Sequence, residues 1–164
     1  MTEAYIVDAV RTPAGRRNGS LAGTHPTDLG AAIINGLLDR TGIDPARVDD
    51  VIVGCVTQAG EQGMTLGRHA VLASNLPQSV PSVTIDRQCG SSQQALHFAA
   101  QAVMSGTQDV VMAAGVESMS RVPMFSNFML HRQAGMGEGP VSPALQKKYG
   151  VKEFSQFIGA QMIA

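Results

Sequence analysis

Four short apolar runs punctuate the first two thirds of the chain. They are A-Y-I-V-D-A-V at residues 4–10, V-I-V-G-C-V at 51–56, V-P-S-V-T-I at 80–85 and D-V-V-M-A-A-G-V at 109–116. Their length and β-branched content predict strands. They are nearly continuous rather than alternating, the pattern of strands covered on both faces. Three stretches between them carry helical spacing. In the first, Thr27 reads as an N-cap with Asp28 in the first turn; Leu29, Ile33, Leu37 and Leu38 follow, and Gly42 closes the helix. Residues 63–75 place Leu66, Ala70 and Val71 on one face. Residues 91–105 place Leu96, Ala99, Ala100, Val103 and Met104 together, with Gly106 as the stop. The β-α-β-α-β-α-β order predicts an α/β layered fold, a sheet flanked by helices.

The pattern breaks after Glu117, dividing the chain into parts at 1–117 and 118–164. Residues 118–150 are rich in Met, Pro, Gly and Ser with no sustained period, and 151–164 turn mildly helical. A long irregular stretch of this kind is usually functional or disordered.

Composition narrows the function classes. The 164 residues hold 12 Lys plus Arg against 13 Asp plus Glu, a net charge of -1, which argues against nucleic-acid or anionic-membrane partners. No Trp is present and aromatics are only 4%, which weakens base stacking. Two cysteines cannot form a disulfide scaffold, and no C-x-x-C or His-rich cluster suggests a metal. No signal core or membrane-length apolar run is visible, so a cytoplasmic setting is expected.

Chemistry concentrates at D-R-Q-C-G-S-S-Q-Q-A, residues 86–95. Cys89 falls between the third predicted strand and the third predicted helix. A thiol at a helix start faces unpaired N–H groups and the positive end of the macrodipole, which favour a thiolate. The same groups, at Cys89 and Gly90, are candidates to hold the oxygen of a tetrahedral acyl intermediate. This is the case for an acyl-cysteine; the plainer alternative is a small thiol packed at a strand end. For Cys55, inside an apolar run, core packing is the expectation.

No histidine offers itself as the base. His97 lies eight residues after Cys89, about 12 Å along a helix. His69 sits on another predicted helix, His131 falls in the irregular region, and His25 reads as a loop residue before a cap.

With these residues in view, the chain resembles the N-terminal half of a thiolase, the acetyl-CoA acetyltransferase and 3-ketoacyl-CoA thiolase family. The resemblance is carried by V-R-T-P-A-G-R-R-N-G-S-L-A-G (10–23), V-I-V-G-C-V-T-Q-A-G-E-Q-G (51–63), D-R-Q-C-G-S-S-Q-Q-A-L (86–96) and D-V-V-M-A-A-G-V-E-S-M-S-R-V-P (109–123). Two positions depart from the family's commonest pattern: Asp86 stands where a small neutral polar residue is usual, and Gln93 replaces a frequent apolar or small one.

The resemblance implies a layered core half over 1–117, a βαβαβαβ mixed sheet flanked by helices, and, over 118–164, the start of a loop domain covering the substrate. It implies Cys89 as the acylated nucleophile of a Claisen condensation or its thiolytic reverse. Acyl-CoA and CoA would be the partners, with no cofactor beyond the CoA of the substrate, no metal, and a homodimer or homotetramer. Phe157 and Ile158 resemble a segment near the acyl pocket. Arg121, Arg132, Lys147, Lys148 and Lys152 are candidates for CoA phosphates or simply a solvated surface, and Met119, Met124, Met129 and Met136 for a pocket lining or plain packing.

The family's G-H-P histidine, C-x-G cysteine and N-E-A-F segment do not occur here; G-T-H-P at 23–26 lies in the wrong context. The expectation is therefore an incomplete enzyme, a fragment or a chain that needs a partner, exposing a large apolar face if alone. Competing readings are a ketoacyl-synthase-type condensing enzyme and a non-catalytic half that dimerises through V-P-S-V-T-I-D. A cysteine hydrolase fits less well, since Q-C-G-S lacks the flanking glycines of a nucleophile elbow.

Overall fold

The computed structural model describes residues 3–164, which divide into two compact units, 3–124 and 125–164. The first unit runs α1 (Pro26–Thr41), β1 (Asp50–Gly54), α2 (Leu66–Ala73), β2 (Ser82–Ile85), α3 (Ser91–Met104) and β3 (Val111–Gly115). Its sheet has the order β2-β1-β3 with both pairings parallel. The central strand β1 alternates cleanly. Val51, Val53 and Cys55 join Ile34 and Leu38 of α1 and Leu66, Ala70 and Val71 of α2; Ile52 joins Ala95 and Ala99 of α3 on the other face. Helices thus cover both faces, which is why the apolar runs show no polar alternation.

Ala4–Val10 is not a strand. It pairs with no other segment among the described residues, and Tyr5, Ile6 and Val7 are exposed. The segment lies on neither free edge of the sheet, so its backbone N–H and C=O groups enter no ladder. The sheet described here is accordingly three-stranded and parallel throughout, not mixed.

Helix α1 starts one residue before Thr27. Proline lacks an N–H and fits the first helical position, so Pro26 takes it and the cap falls to His25, whose Nδ1 accepts the Thr27 N–H at 3.2 Å. The buried side of α3 is Ser91, Ala95 and Ala99; Leu96, Phe98 and Met104 face solvent. Small side chains, not the large ones, meet the sheet because the helix lies so close to it.

That closeness has a definite cause. Gly54 and Gly115 are register partners at the carboxyl ends of β1 and β3. A Cβ on Gly54 would lie 2.4 Å from Ser91 C and Ser92 N, and one on Gly115 would lie 2.5 Å from the Ser92 Cβ. The first turn of α3 rests directly on two bare strand ends.

The second unit holds α4 (Ser126–Ala134), α5 (Pro143–Tyr149) and α6 (Gln156–Ile163). The helices α4 and α5 fall where no period was legible. Both are short and set by their ends: Gly135 and Gly150 close them in the left-handed region, and Ser142 with Pro143 opens α5. The units divide at 124/125 rather than 117/118, because residues 118–122 stay tied to the first. Ser118 N–H donates to Gln62 Oε1, Asn18 N–H to Ser120 Oγ, and Arg121 to Glu61.

Two glycine substitutions should separate close packing from chain entropy. Gly54→Ala should lower unfolding free energy by about 2 kcal/mol or more, through overpacking against backbone. Gly36→Ala, inside α1 with nothing within 4 Å of its added methyl, should raise it by about 0.5–1 kcal/mol. Urea unfolding of the two variants checks both signs.

Candidate active site

Cys89 stands one residue before Gly90, the N-cap of α3, with its side chain exposed; Cys55 is buried. The turn between β2 and α3 is tightly specified. Gly90 N–H donates to Arg87 O at 3.1 Å, and Ser91 N–H to Gln88 O at 3.0 Å. The buried Ser91 hydroxyl donates to Gln88 O at 2.6 Å and accepts the Arg87 N–H at 2.9 Å. Gln88 occupies the left-handed region with φ 47°.

These bonds change which amides face the thiol. Gly90, an expected oxyanion donor, has its N–H spent on Arg87 O. The first helical bond is Gln94 N–H to Gly90 O, and no side chain caps the helix. The N–H groups of Ser92 and Gln93 therefore have no hydrogen-bond partner among the described residues. They, with the macrodipole, are the groups available to an anion at this helix start. An exposed thiol in this position can form a thioester whose carbonyl oxygen is met by backbone donors.

Cys55 is a different kind of thiol. Burial chiefly, then the charge and hydrogen bonding of Glu117 and the charge of Asp86, push it up to about 12. It is a core thiol, as its apolar run indicated.

A polar network beside it had no sequence signal. Gln62 is fully buried; its Nε2 donates to Thr57 O at 2.8 Å and Glu117 Oε1 at 2.9 Å, and its Oε1 accepts Ser118 N–H at 2.6 Å. Glu117 also accepts the N–H groups of Val56 and Thr57. This network closes the chain exits that follow Gly54 and Gly115. Only a Gln and a Glu 55 residues apart carry it, and nothing in their local context marks them.

Arg121 is not free for a phosphate. It grips both carboxylate oxygens of Glu61, at 2.5 and 2.7 Å, and reaches Ala22 O and Gly23 O at 3.4 Å. This bidentate bond holds Glu61 below its ordinary range and Arg121 above. His25 Nε2 lies 3.9 Å from the same carboxylate, so His25 is a cap tied to Glu61 rather than a plain loop residue. His69 and His97 are exposed. His131 is buried in the second unit. No histidine hydrogen-bonds to Cys89 among the described residues.

A cavity of about 580 Å³ opens beside the exit of β3, lined by Arg16, Arg17, Leu29, Ile33, Met119 and Met124 among others. Cys89 is not among its walls, so two of the four candidate methionines line a space separate from the thiol. In the second unit, Lys147 and Lys148 occupy the last turn of α5, where cations oppose the helix dipole. Phe157 and Ile158 lie exposed on α6.

The family model described as the N-terminal domain of thiolase matches residues 4–162. The chain belongs to the thiolase family. It is 54% identical to the steroid 3-ketoacyl-CoA thiolase FadA6 of Mycobacterium tuberculosis, over 100% of this chain and 40% of that protein. It is 42% identical to the beta-ketoadipyl-CoA thiolase of Acinetobacter baylyi, over 95% and 41% respectively. The crystal structure of the acetyl-CoA acetyltransferase of Bacillus anthracis superposes with a TM-score of 0.71 at 37% identity, covering 75% of this chain and 31% of that one. The chain thus spans about 40% of the length of the curated thiolases it matches.

The two thiols of this thiolase segment should differ sharply in reactivity. At neutral pH, iodoacetamide should alkylate Cys89 and leave Cys55 untouched until denaturant is added. A thiol held near 12 is ionised to only about one part in 10⁵ at pH 7. Peptide mapping of the alkylated chain checks the assignment.

Proposed function

We propose that this chain supplies the acyl-accepting half of an acyl-CoA C-acyltransferase of the thiolase type. The observation that carries the reading is the exposed Cys89 thiol at the start of α3, a helix whose Ser92 and Gln93 amides make no hydrogen bond among the described residues. Cys89 Sγ attacks the thioester carbonyl of an acyl-CoA, the new S–C bond forms, and the CoA thiolate leaves. The α-carbon of a second acetyl-CoA, once deprotonated, then attacks the acyl-cysteine; the reverse is thiolysis of a 3-ketoacyl-CoA. Both proton transfers need groups that the surroundings of Cys89 do not supply here.

In this proposal CoA enters as substrate and no further cofactor is required. Residues 118–164 serve as the beginning of the substrate-covering domain. Phe157 and Ile158 contact the acyl chain; their exposure leaves their apolar surface available to it. The protein works in the cytoplasm as a homodimer or homotetramer. In support, β2 is an edge strand with Val83 exposed, a surface a second copy can extend. No helix among the described residues is long and apolar enough to cross a membrane.

Incubation with acetyl-CoA tests the reading. The chain should acquire less than one acetyl group, all of it on Cys89, with no condensation product. Cys89→Ala should abolish labelling and Cys55→Ala should not. In an enzyme carrying this sequence with its remaining segments, Cys89→Ala should lower kcat by at least on the order of a thousandfold. Acetyl on another residue, or turnover that survives Cys89→Ala, would defeat the proposal.

A further inference from the structure

Gln88 directly precedes the thiol-bearing residue, and its backbone is held in a region that L side chains rarely adopt. Its φ of 47° is one of five positive values at non-glycine positions among the described residues. The left-handed region disfavours such a residue because its Cβ crowds the following carbonyl oxygen. Something has to hold it there.

The bonds at Gln88 identify the holder. Asp86 Oδ1 accepts the Gln88 N–H at 2.6 Å, and Asp86 Oδ2 lies 3.4 Å from Gln88 Nε2. The carboxylate reaches two residues forward along its own chain, the arrangement by which Asp and Asn replace a backbone turn with a side-chain one. On the far side, Gln88 O is fixed by Ser91 N–H and Ser91 Oγ. Gln88 is thus clamped at its N–H by Asp86 and at its carbonyl by Ser91. Ser91 is buried against Gly54, so that half of the clamp belongs to the helix seat. Asp86 is exposed and has no such packing role.

We propose that Asp86 is a positioning residue for the nucleophile: its carboxylate holds Gln88 in the left-handed conformation that leaves the adjoining Cys89 exposed at the start of α3. This rests on the reading of Cys89 as the acyl acceptor and adds to it a residue that touches neither substrate nor thiol. The function of the side chain is that of an acceptor two residues ahead of the bond it controls. An amide at this position can do the same work; a methyl group cannot.

Two readouts on the 164-residue chain test it. The first is hydrogen exchange of the turn amides, which needs no chemistry at Cys89. Asp86→Ala should speed exchange at Gln88 by about tenfold, the effect of losing one charge-assisted bond in a strained turn. The second is acylation of Cys89 by p-nitrophenyl acetate, an activated donor. The Sγ–C bond forms, the ester C–O bond breaks, nitrophenolate leaves with the electron pair, and the thiol proton passes to buffer. Asp86→Ala should slow nitrophenolate release by about fivefold to tenfold.

Asp86→Asn should restore most of both losses. Gln88→Gly, made in the Asp86→Ala background, should restore the acylation rate, because glycine takes the left-handed region without help, while the amide at residue 88, still without its acceptor, stays fast in exchange. A role in general stability would not be cured by a glycine at residue 88. Unchanged exchange in Asp86→Ala, or failure of both Asn and Gly to rescue, would overturn the proposal. If the unsubstituted chain is not acylated on Cys89, the nucleophile reading fails instead, and the exchange measurement still decides the role of Asp86.

Discussion

The structure depends on two missing side chains. Gly54 and Gly115 sit opposite each other at the ends of adjacent parallel strands, and the first turn of α3 occupies the space their Cβ atoms would fill. Packed interiors transmit such a constraint with little slack. With the helix start seated there, the connection from Ile85 must turn within five residues, and Cys89 emerges at the rim of the sheet. The Gln62–Glu117 network then fixes the chain as it leaves those same strand ends. Seat, turn and network together place one thiol at a helix start and keep the surrounding loops from collapsing over it.

The two cysteines show how much the surroundings decide. Cys55 is one residue past the end of β1, buried, and faces the Glu117 carboxylate, so its thiol stays protonated far above neutral pH. Cys89 is exposed at the start of α3, where the Ser92 and Gln93 N–H groups make no hydrogen bond among the described residues. Desolvation and a like charge suppress one thiol; a helix start and access to solvent favour reaction at the other. The side chains are identical, and their positions relative to the Gly54–Gly115 seat differ.

Much of this was legible in the sequence. Strands β1, β2 and β3 and helices α1, α2 and α3 follow the apolar runs and helical spacings to within a few residues, and Cys89 was marked by its place between β2 and α3. The failures have physical reasons. The run at 4–10 has strand composition but lies on neither edge of the sheet, which periodicity cannot report. On the packed side of α3 the spacing found Ala99 but put Leu96 and Met104 with it and missed Ala95, whose small size is what the close seat requires. Gly90 carried the right backbone feature, but its N–H is taken by a turn that only the positive φ at Gln88 creates. Gln62 and Glu117 are joined through space alone. Asp86 was visible as a departure, and its meaning appeared only with the geometry of the turn.

In the proposed reaction, the thioester formed at Cys89 is held by the amides at the start of α3. The most direct measurement is the infrared carbonyl stretch of a ¹³C-acetyl group on Cys89, compared in the folded chain and in the same chain unfolded. The account predicts a band shifted to lower frequency in the folded protein, as hydrogen bonds from Ser92 and Gln93 polarise the carbonyl. A band at the same frequency in both states, or one shifted higher as in an apolar setting, would contradict it.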